Sequence, residues 1–292
     1  MTSKQLQALI DAETTNTLTI SETVLIQDRS SINLRELNVV SSADPVFSIQ
    51  GKHWMVQSGK ATATNGVLFD CINSQSGLVQ NVFMSGFFKT KALFQCMNNN
   101  SCYDTHFIGG EWAKPQGMTV PHIMVATNGP FFNANSVSRC RFQTNGIPAS
   151  PCILLSCTLM NNWLYGNTFS NINFEIPNAG AIHLHSCFGH SLQDIQIFDA
   201  DLFGPITDHL IKLTRSSSTS LRSNQTRLHG YFRLSGTLND GIYDIFAPST
   251  DHVADTLDLN SVGGIQGANI KINVSRSTLL FNRSLQSQFV IG

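Results

Sequence analysis

Ala181-Ile182-His183-Leu184-His185-Ser186-Cys187 is followed closely by Ser191-Leu192-Gln193-Asp194-Ile195-Gln196-Ile197-Phe198. Apolar and polar residues alternate in both halves, which is the period of a half-buried strand. The same plan recurs upstream as Val67-Leu68-Phe69-Asp70-Cys71, then Val79-Gln80-Asn81-Val82-Phe83-Met84. With the inward residue of each first strand in register, the anchors are Phe47, Val67, Ala92, Ile123, Ile153, Ile182, Ile211 and Tyr243. The gaps between them are 20, 25, 31, 30, 29, 29 and 32 residues. Repetition at such a period marks a solenoid, a propeller or an array. Short strands and turns, with no amphipathic helix between them, select a parallel β-helix in which each coil stacks on the last.

The second strand of each repeat carries the pattern apolar-x-x-apolar-x-apolar. Its instances are Val79/Val82/Met84, Cys102/Thr105/Phe107, Val137/Cys140/Phe142, Phe169/Ile172/Phe174 and Leu192/Ile195/Ile197. The last two positions of the pattern share one strand face, and the first lies across a bend. A propeller blade needs four strands and tight antiparallel hairpins. Asn-Gly pairs occur at Asn65, Asn128 and Asn145, not once per repeat, so the propeller ranks second.

Hydrophobic residues are 41% of the 292, enough for a long core, while charged residues are 13% and the net charge is −1. That balance argues against a nucleic-acid binder, which shows a basic stripe. Asn, Ser, Thr and Gln dominate the polar positions; they suit hydroxyl-rich ligands and also form hydrogen-bonded ladders between stacked coils. No run approaches the roughly 18–20 apolar residues of a membrane helix, and the start of the chain lacks the apolar stretch of a signal peptide. Seven cysteines without a Cys-x-x-Cys pair give no zinc spacing. Cys71, Cys96, Thr127, Cys157 and Ser186 read as one column of small residues inside the solenoid.

Residues 1–23 read as an N-terminal cap, residues 24–246 as the β-helix and residues 247–292 as a C-terminal β segment. Within the cap, 1–15 has the pattern of a short amphipathic helix, with Leu6, Leu9 and Ile10 on one face. A solenoid's open end must be covered, which gives this helix its role; attachment to a larger particle is the alternative. The fold class expected is therefore all-β, a right-handed parallel β-helix with a capping helix and a terminal β segment.

Strings such as Asn135-Ser136-Val137-Ser138-Arg139-Cys140-Arg141-Phe142 and Gly166-Asn167-Thr168-Phe169-Ser170-Asn171-Ile172-Asn173-Phe174 resemble coils of pectate-lyase-like right-handed β-helices. The capping start and separate C-terminal segment resemble bacteriophage tailspikes and related virion β-helix proteins. The resemblance covers roughly 24–246 and implies a homotrimer on a virion, assembled in the host cytoplasm, that binds or cleaves bacterial surface polysaccharide. The chain is short for a tailspike, and no large head-binding domain precedes the coils. The rival expectation is a non-enzymatic capsid cement or decoration protein that contacts other virion proteins. A free polysaccharide lyase is a third.

A glycan hydrolase or lyase needs carboxylates in a groove, about 5–5.5 Å apart for a retaining glycosidase and about 6.5–9.5 Å for an inverting one. Coils stacked at about 4.8 Å place such pairs naturally. Glu175, and Asp199 and Asp201 one coil later, are the first catalytic cluster; Asp104 and Glu111 with His106 are the second. Arg139 and Arg141 are candidates for an acidic sugar, and Trp112, Trp163 and Tyr165 for stacking on sugar rings. His183 and His185 alternate with inward Ile182 and Leu184 but have no evident third ligand, so neither a metal nor any other cofactor is expected.

One further column concerns assembly. The outward residue next to each anchor reads Leu68, Leu93, Met124 and Leu154 before turning polar at His183. A contiguous apolar row asks for a partner, and a threefold interface between copies of the chain is the expectation.

Overall fold

The computed structural model describes residues 1–115, 117–127, 131–144, 148–157, 163–175, 177, 179–185 and 190–198, and the strands Ile211–Thr214, Arg227–Arg233, Tyr243–Ile245, Thr256–Asp258, Ile270–Val274, Thr278–Leu280 and Phe289–Ile291. Apart from one helix, Ser3–Ala12, the regular structure among the described residues is all β. The strands form a sheet of 11 and a sheet of 16, and their pairing is parallel. The chain visits the sheets in turn: between one strand of the 11-stranded sheet and the next it always passes through the 16-stranded one.

The helix begins with a capping box, in which the Thr2 side chain accepts from the Gln5 N–H and the Gln5 side chain accepts from the Thr2 N–H. Its apolar face buries Leu6 and Ile10, which belong to the main core. Leu9, expected on the same face, is exposed.

In the 11-stranded sheet one column runs Val24, Phe47, Phe69, Phe94, Ile123, Ile153, Ile182, Ile211, Tyr243. Six of the expected anchors are in it. Val67 and Ala92 are not; Phe69 and Phe94, two residues later, take their places. Aromatic packing decides the slip, since Phe47 and Phe69 stack with ring centroids 4.8 Å apart. The slip also dissolves the expected trimer row. Leu68 and Leu93 sit in the turns that precede their strands and are 0% and 1% exposed. Their carbonyls accept the N–H groups of Phe47 and Phe69, and Leu93 fills the space above Gly86. The outward column beside the anchors instead reads Ser48, Asp70, Gln95, Met124, Leu154, His183. Its only adjacent apolar pair among the described residues is Met124 and Leu154, both half-buried. The cysteine column shortens likewise: Cys71 and Cys96 are followed by Val125 and Leu155 rather than Thr127 and Cys157.

The 16-stranded sheet contains the bend that its motif requires. Asn81, Arg139, Asn171 and Asp194, each just before the middle apolar residue, lie in the left-handed region at φ of 52°, 55°, 51° and 51°. Left-handed residues reverse the pleat, so apolar residues three apart both face inward. The rung 101–114 bends twice, at Asp104 with φ of 52°, just before Thr105, and at Gly109 and Gly110 with φ of 71° and 99°. Phe107/Gly110/Trp112 is the stretch of that rung in register with Val137/Cys140/Phe142, while Cys102/Thr105/Phe107 faces inward as its spacing requires but lies five residues earlier. A Cβ on Gly110 would meet the Val82 carbonyl oxygen, which is why the apolar letter is missing there.

The core lies between the two sheets. Phe94 from one packs against Phe107 and Phe132 from the other. Trp112, Phe142 and Phe174 stack up the inner face at centroid separations of 5.2 and 5.1 Å. A buried polar column runs beside them. Trp54 Nε1 donates to Ser74 Oγ, which shares a hydrogen bond with Thr105 Oγ1. Asn135 Oδ1 accepts the Thr105 N–H, Asn167 Oδ1 accepts from Asn135, and His190 Nδ1 accepts the Asn167 N–H. Interior polar groups are tolerable because they are paired in this way.

Candidate functional site

The outer face of the 16-stranded sheet has a groove along the bend. Residues outward of the inner aromatic stack line it in register: Lys60, Phe83, Glu111, Arg141, Asn173 and Gln196. One part, about 590 Å³, lies between Glu36, Asn81 and Arg141. The next, about 570 Å³, lies between Arg139, Arg141, Asn171 and Gln196. Arg141 borders both, so the two parts adjoin. Lys60 Nζ sits 5.6 Å from the centre of the Phe83 ring, a cation–π contact.

Arg141 is the electrostatic centre. Its Nε and Nη2 donate to the Glu175 carboxylate at 2.7 and 2.5 Å, a bidentate fork, and Nη1 reaches Glu111 Oε2 at 3.4 Å. The Glu175 hydrogen bonds, helped by both negative charges, raise the pKa of the guanidinium against the pull of partial burial. Arg141 keeps 43% of its side chain exposed, so it remains accessible from the groove. Arg139 stands on the left-handed turn two residues earlier and is exposed.

The structure thus brings Glu175, Arg139 and Arg141 together and joins Glu111 to them. Asp199 and Asp201 lie outside the described residues. Trp112 is not a sugar platform: it is 0% exposed, stacked on Phe142 in the core. Its misreading follows from the five-residue slip in that rung. Trp163 lies on a strand beside Phe131, and Tyr165, half-buried, is in register with Asn133. Both are on the far side of the bend from the groove residues. His183 and His185 are half-buried neighbours with ring centroids 6.2 Å apart, and among the described residues no cluster of metal-ligating side chains forms.

The second cluster tightens. His106 Nε2 is 3.1 Å from Asp104 Oδ1, and its Nδ1 is 2.8 Å from Ser136 Oγ on the next strand. Ser76 Oγ donates to the other Asp104 oxygen at 2.8 Å. The sequence hides Ser136 from this group, because only the register sets it beside His106. Glu111 leaves the cluster for Arg141.

Sequence reasoning also misses a buried basic corner. Lys114 is 2% exposed and donates to the carbonyls of Lys91 and Val120. Burial lowers its pKa to about 7. Neighbouring His122 is pushed down to about 3, first by burial and then by the Lys114 charge. Nothing in a lone Lys or His letter signals this; it follows from the Glu111–Lys114 strand alternating Trp112 and Lys114 inward.

No protein-family model, curated protein or solved structure matches the chain.

Proposed function

We propose that the two parallel sheets are walls of a right-handed β-helix and that the groove on the wider one binds an extended, charge-bearing polysaccharide. The observation that carries this is the groove's length and lining. It crosses the strands that bear Lys60, Phe83, Glu111, Arg141, Asn173 and Gln196, five strand spacings, or about 24 Å at ~4.8 Å each. A site so long, open and polar suits a polymer rather than a small metabolite, which is held in a closed apolar pocket. Amide, hydroxyl and guanidinium donors match sugar hydroxyls and carboxylates. The alternation of the chain between the sheets supports the helix; the reading of it as a tailspike-like receptor-binding protein of a virion surface, recognising bacterial glycan as a homotrimer, rests on the resemblance of its coils in sequence. The Arg141 fork argues for recognition over cleavage, since a carboxylate held at both oxygens is poorly placed to exchange protons with substrate.

Affinity electrophoresis in gels cast with acidic or neutral bacterial surface polysaccharides tests the reading. The chain should be retarded by an acidic polymer, and the double variant Arg139→Ala/Arg141→Ala should bind at least about 10-fold more weakly, the size of one lost charge-assisted contact. Absence of retardation by any such polymer, or equal retardation of the variant, overturns the proposal.

A further inference from the structure

We propose a second, hydrolytic site on the same sheet, in which Ser136, His106 and Asp104 act on oxygen esters as nucleophile, base and orienting acid. The three side chains form a linked chain on neighbouring strands, with Ser136–His106 at 2.8 Å and His106–Asp104 at 3.1 Å. An ionised carboxylate only accepts, so Asp104 fixes the ring proton on Nε2 and leaves Nδ1 to accept from the Ser136 hydroxyl. Ser76 donates to the second Asp104 oxygen and holds the carboxylate in place. Asp104 and His106 alternate with buried Thr105 and Phe107, which puts both side chains on one outer face. Nucleophile, base and orienter within hydrogen-bond reach are the recurring constellation of acyl transfer, recognised by roles rather than sequence order.

The steps balance with water alone. Ser136 Oγ attacks the acyl carbon as its proton passes to His106 Nδ1. The bond to the alcohol oxygen breaks and His106 returns the proton to that oxygen. Water then attacks the acyl-serine, its proton passing through His106 to Ser136 as the acid leaves. Thr168 stands beside Ser136 on the following strand, and its hydroxyl is the available oxyanion donor. One hydroxyl stabilises an oxyanion less than a pair of preorganised amides, which selects esters over amides. Tyr103, the residue before Asp104, is 42% exposed on the same strand. The natural substrate class, an O-acylated sugar, rests on the glycan-binding reading; the catalytic assignment does not.

The test uses the full chain with 4-nitrophenyl acetate and, separately, a fluorophosphonate probe read by peptide mass mapping. The parent chain should hydrolyse the ester at least about 100-fold faster than Ser136→Ala and His106→Asn, the scale of positioned base catalysis. The probe should label Ser136. Equal rates for parent and Ser136→Ala, or no adduct on Ser136, overturn the site; the adduct decides alone if the variant misfolds. Retained retardation of Ser136→Ala by acidic polymer separates this site from the groove. Labelling in a chain that binds no glycan keeps the catalysis and removes only the sugar.

Discussion

Ala134 lies in the left-handed region at φ 54°, in the column that holds Ser76, Asp104 and Gly166. A Cβ in that region costs about 1–2 kcal/mol, and Ala has no side-chain oxygen to recover any of it. Glycine relieves the strain and returns about 0.5–1 kcal/mol of it as chain entropy. Ala134→Gly should therefore stabilise the fold by about 0.5–1 kcal/mol, raising the melting temperature by roughly 1–3 °C. Gly166→Ala, with open space around the added methyl and the same φ penalty, should lower it by a similar step. Paired thermal melts check both, and a fall for Ala134→Gly contradicts the column. These turns explain what was legible at single residues. The spacing of Val137, Cys140 and Phe142 demanded a bend, so its existence could be read. Its placement on Arg139 could not, because nothing marks an arginine as left-handed. Arg141 and Glu175 were each legible as outward polar residues. Their pairing depends on which strand lies beside which, and that emerges only with the register.

At the scale of elements, rungs were readable wherever large apolar residues occupied every motif position, as in Phe169/Ile172/Phe174 and Leu192/Ile195/Ile197. Their register was misread where a glycine stands in place of an apolar letter, as at Gly110, or a turn leucine imitates one, as at Leu68. Interior polar residues were readable as ladders in kind but not in membership, since Asn135 and Asn167 look like any surface asparagine. The polar column has a pH consequence. Burial holds His190 down to about 4, against an ordinary value of 6.5. Below about pH 6.5 the unfolded chain takes up a proton that the folded chain refuses until about pH 4. The unfolded state binds more protons in that window, so stability falls as pH falls, by up to about 1.4 kcal/mol per pH unit for this group. His122 adds a parallel loss extending to about pH 3. His190→Asn continues the asparagine column, since its side-chain oxygen can accept the Asn167 N–H, and it removes one of the two titrating groups. Urea midpoints should be close for parent and variant at pH 7.5 and diverge in the variant's favour between pH 6 and 4. Parallel curves throughout that range contradict the burial of a neutral His190.

At the scale of the whole molecule, assembly must be argued from the faces that the register leaves outward. Leu68 and Leu93 were readable as apolar and wrongly read as exposed, because a two-residue slip moves them from the strand into the turn that seals the core. Their substitution therefore reports on folding, not on association. Leu93→Asp places a carboxylate at a site that is 1% exposed, packed above Gly86. An uncompensated buried charge costs about 3–5 kcal/mol, a large part of the total stability of an ordinary domain. Leu154→Asp puts the same charge on the outward column of the 11-stranded sheet, beside Met124 and His183, where water reaches the half-buried side chain. The expected outcomes separate cleanly. Leu93→Asp should lower the urea midpoint steeply or yield insoluble chain. Leu154→Asp should fold with a shift of about 1 kcal/mol or less, the usual size for a surface substitution. Sedimentation of Leu154→Asp beside the parent then tests the trimer proposed from the tailspike resemblance. A parent trimer that becomes a folded monomer assigns the interface to the Met124–Leu154 face. A trimer that survives moves the interface to another face, and a monomeric parent removes the threefold assembly altogether.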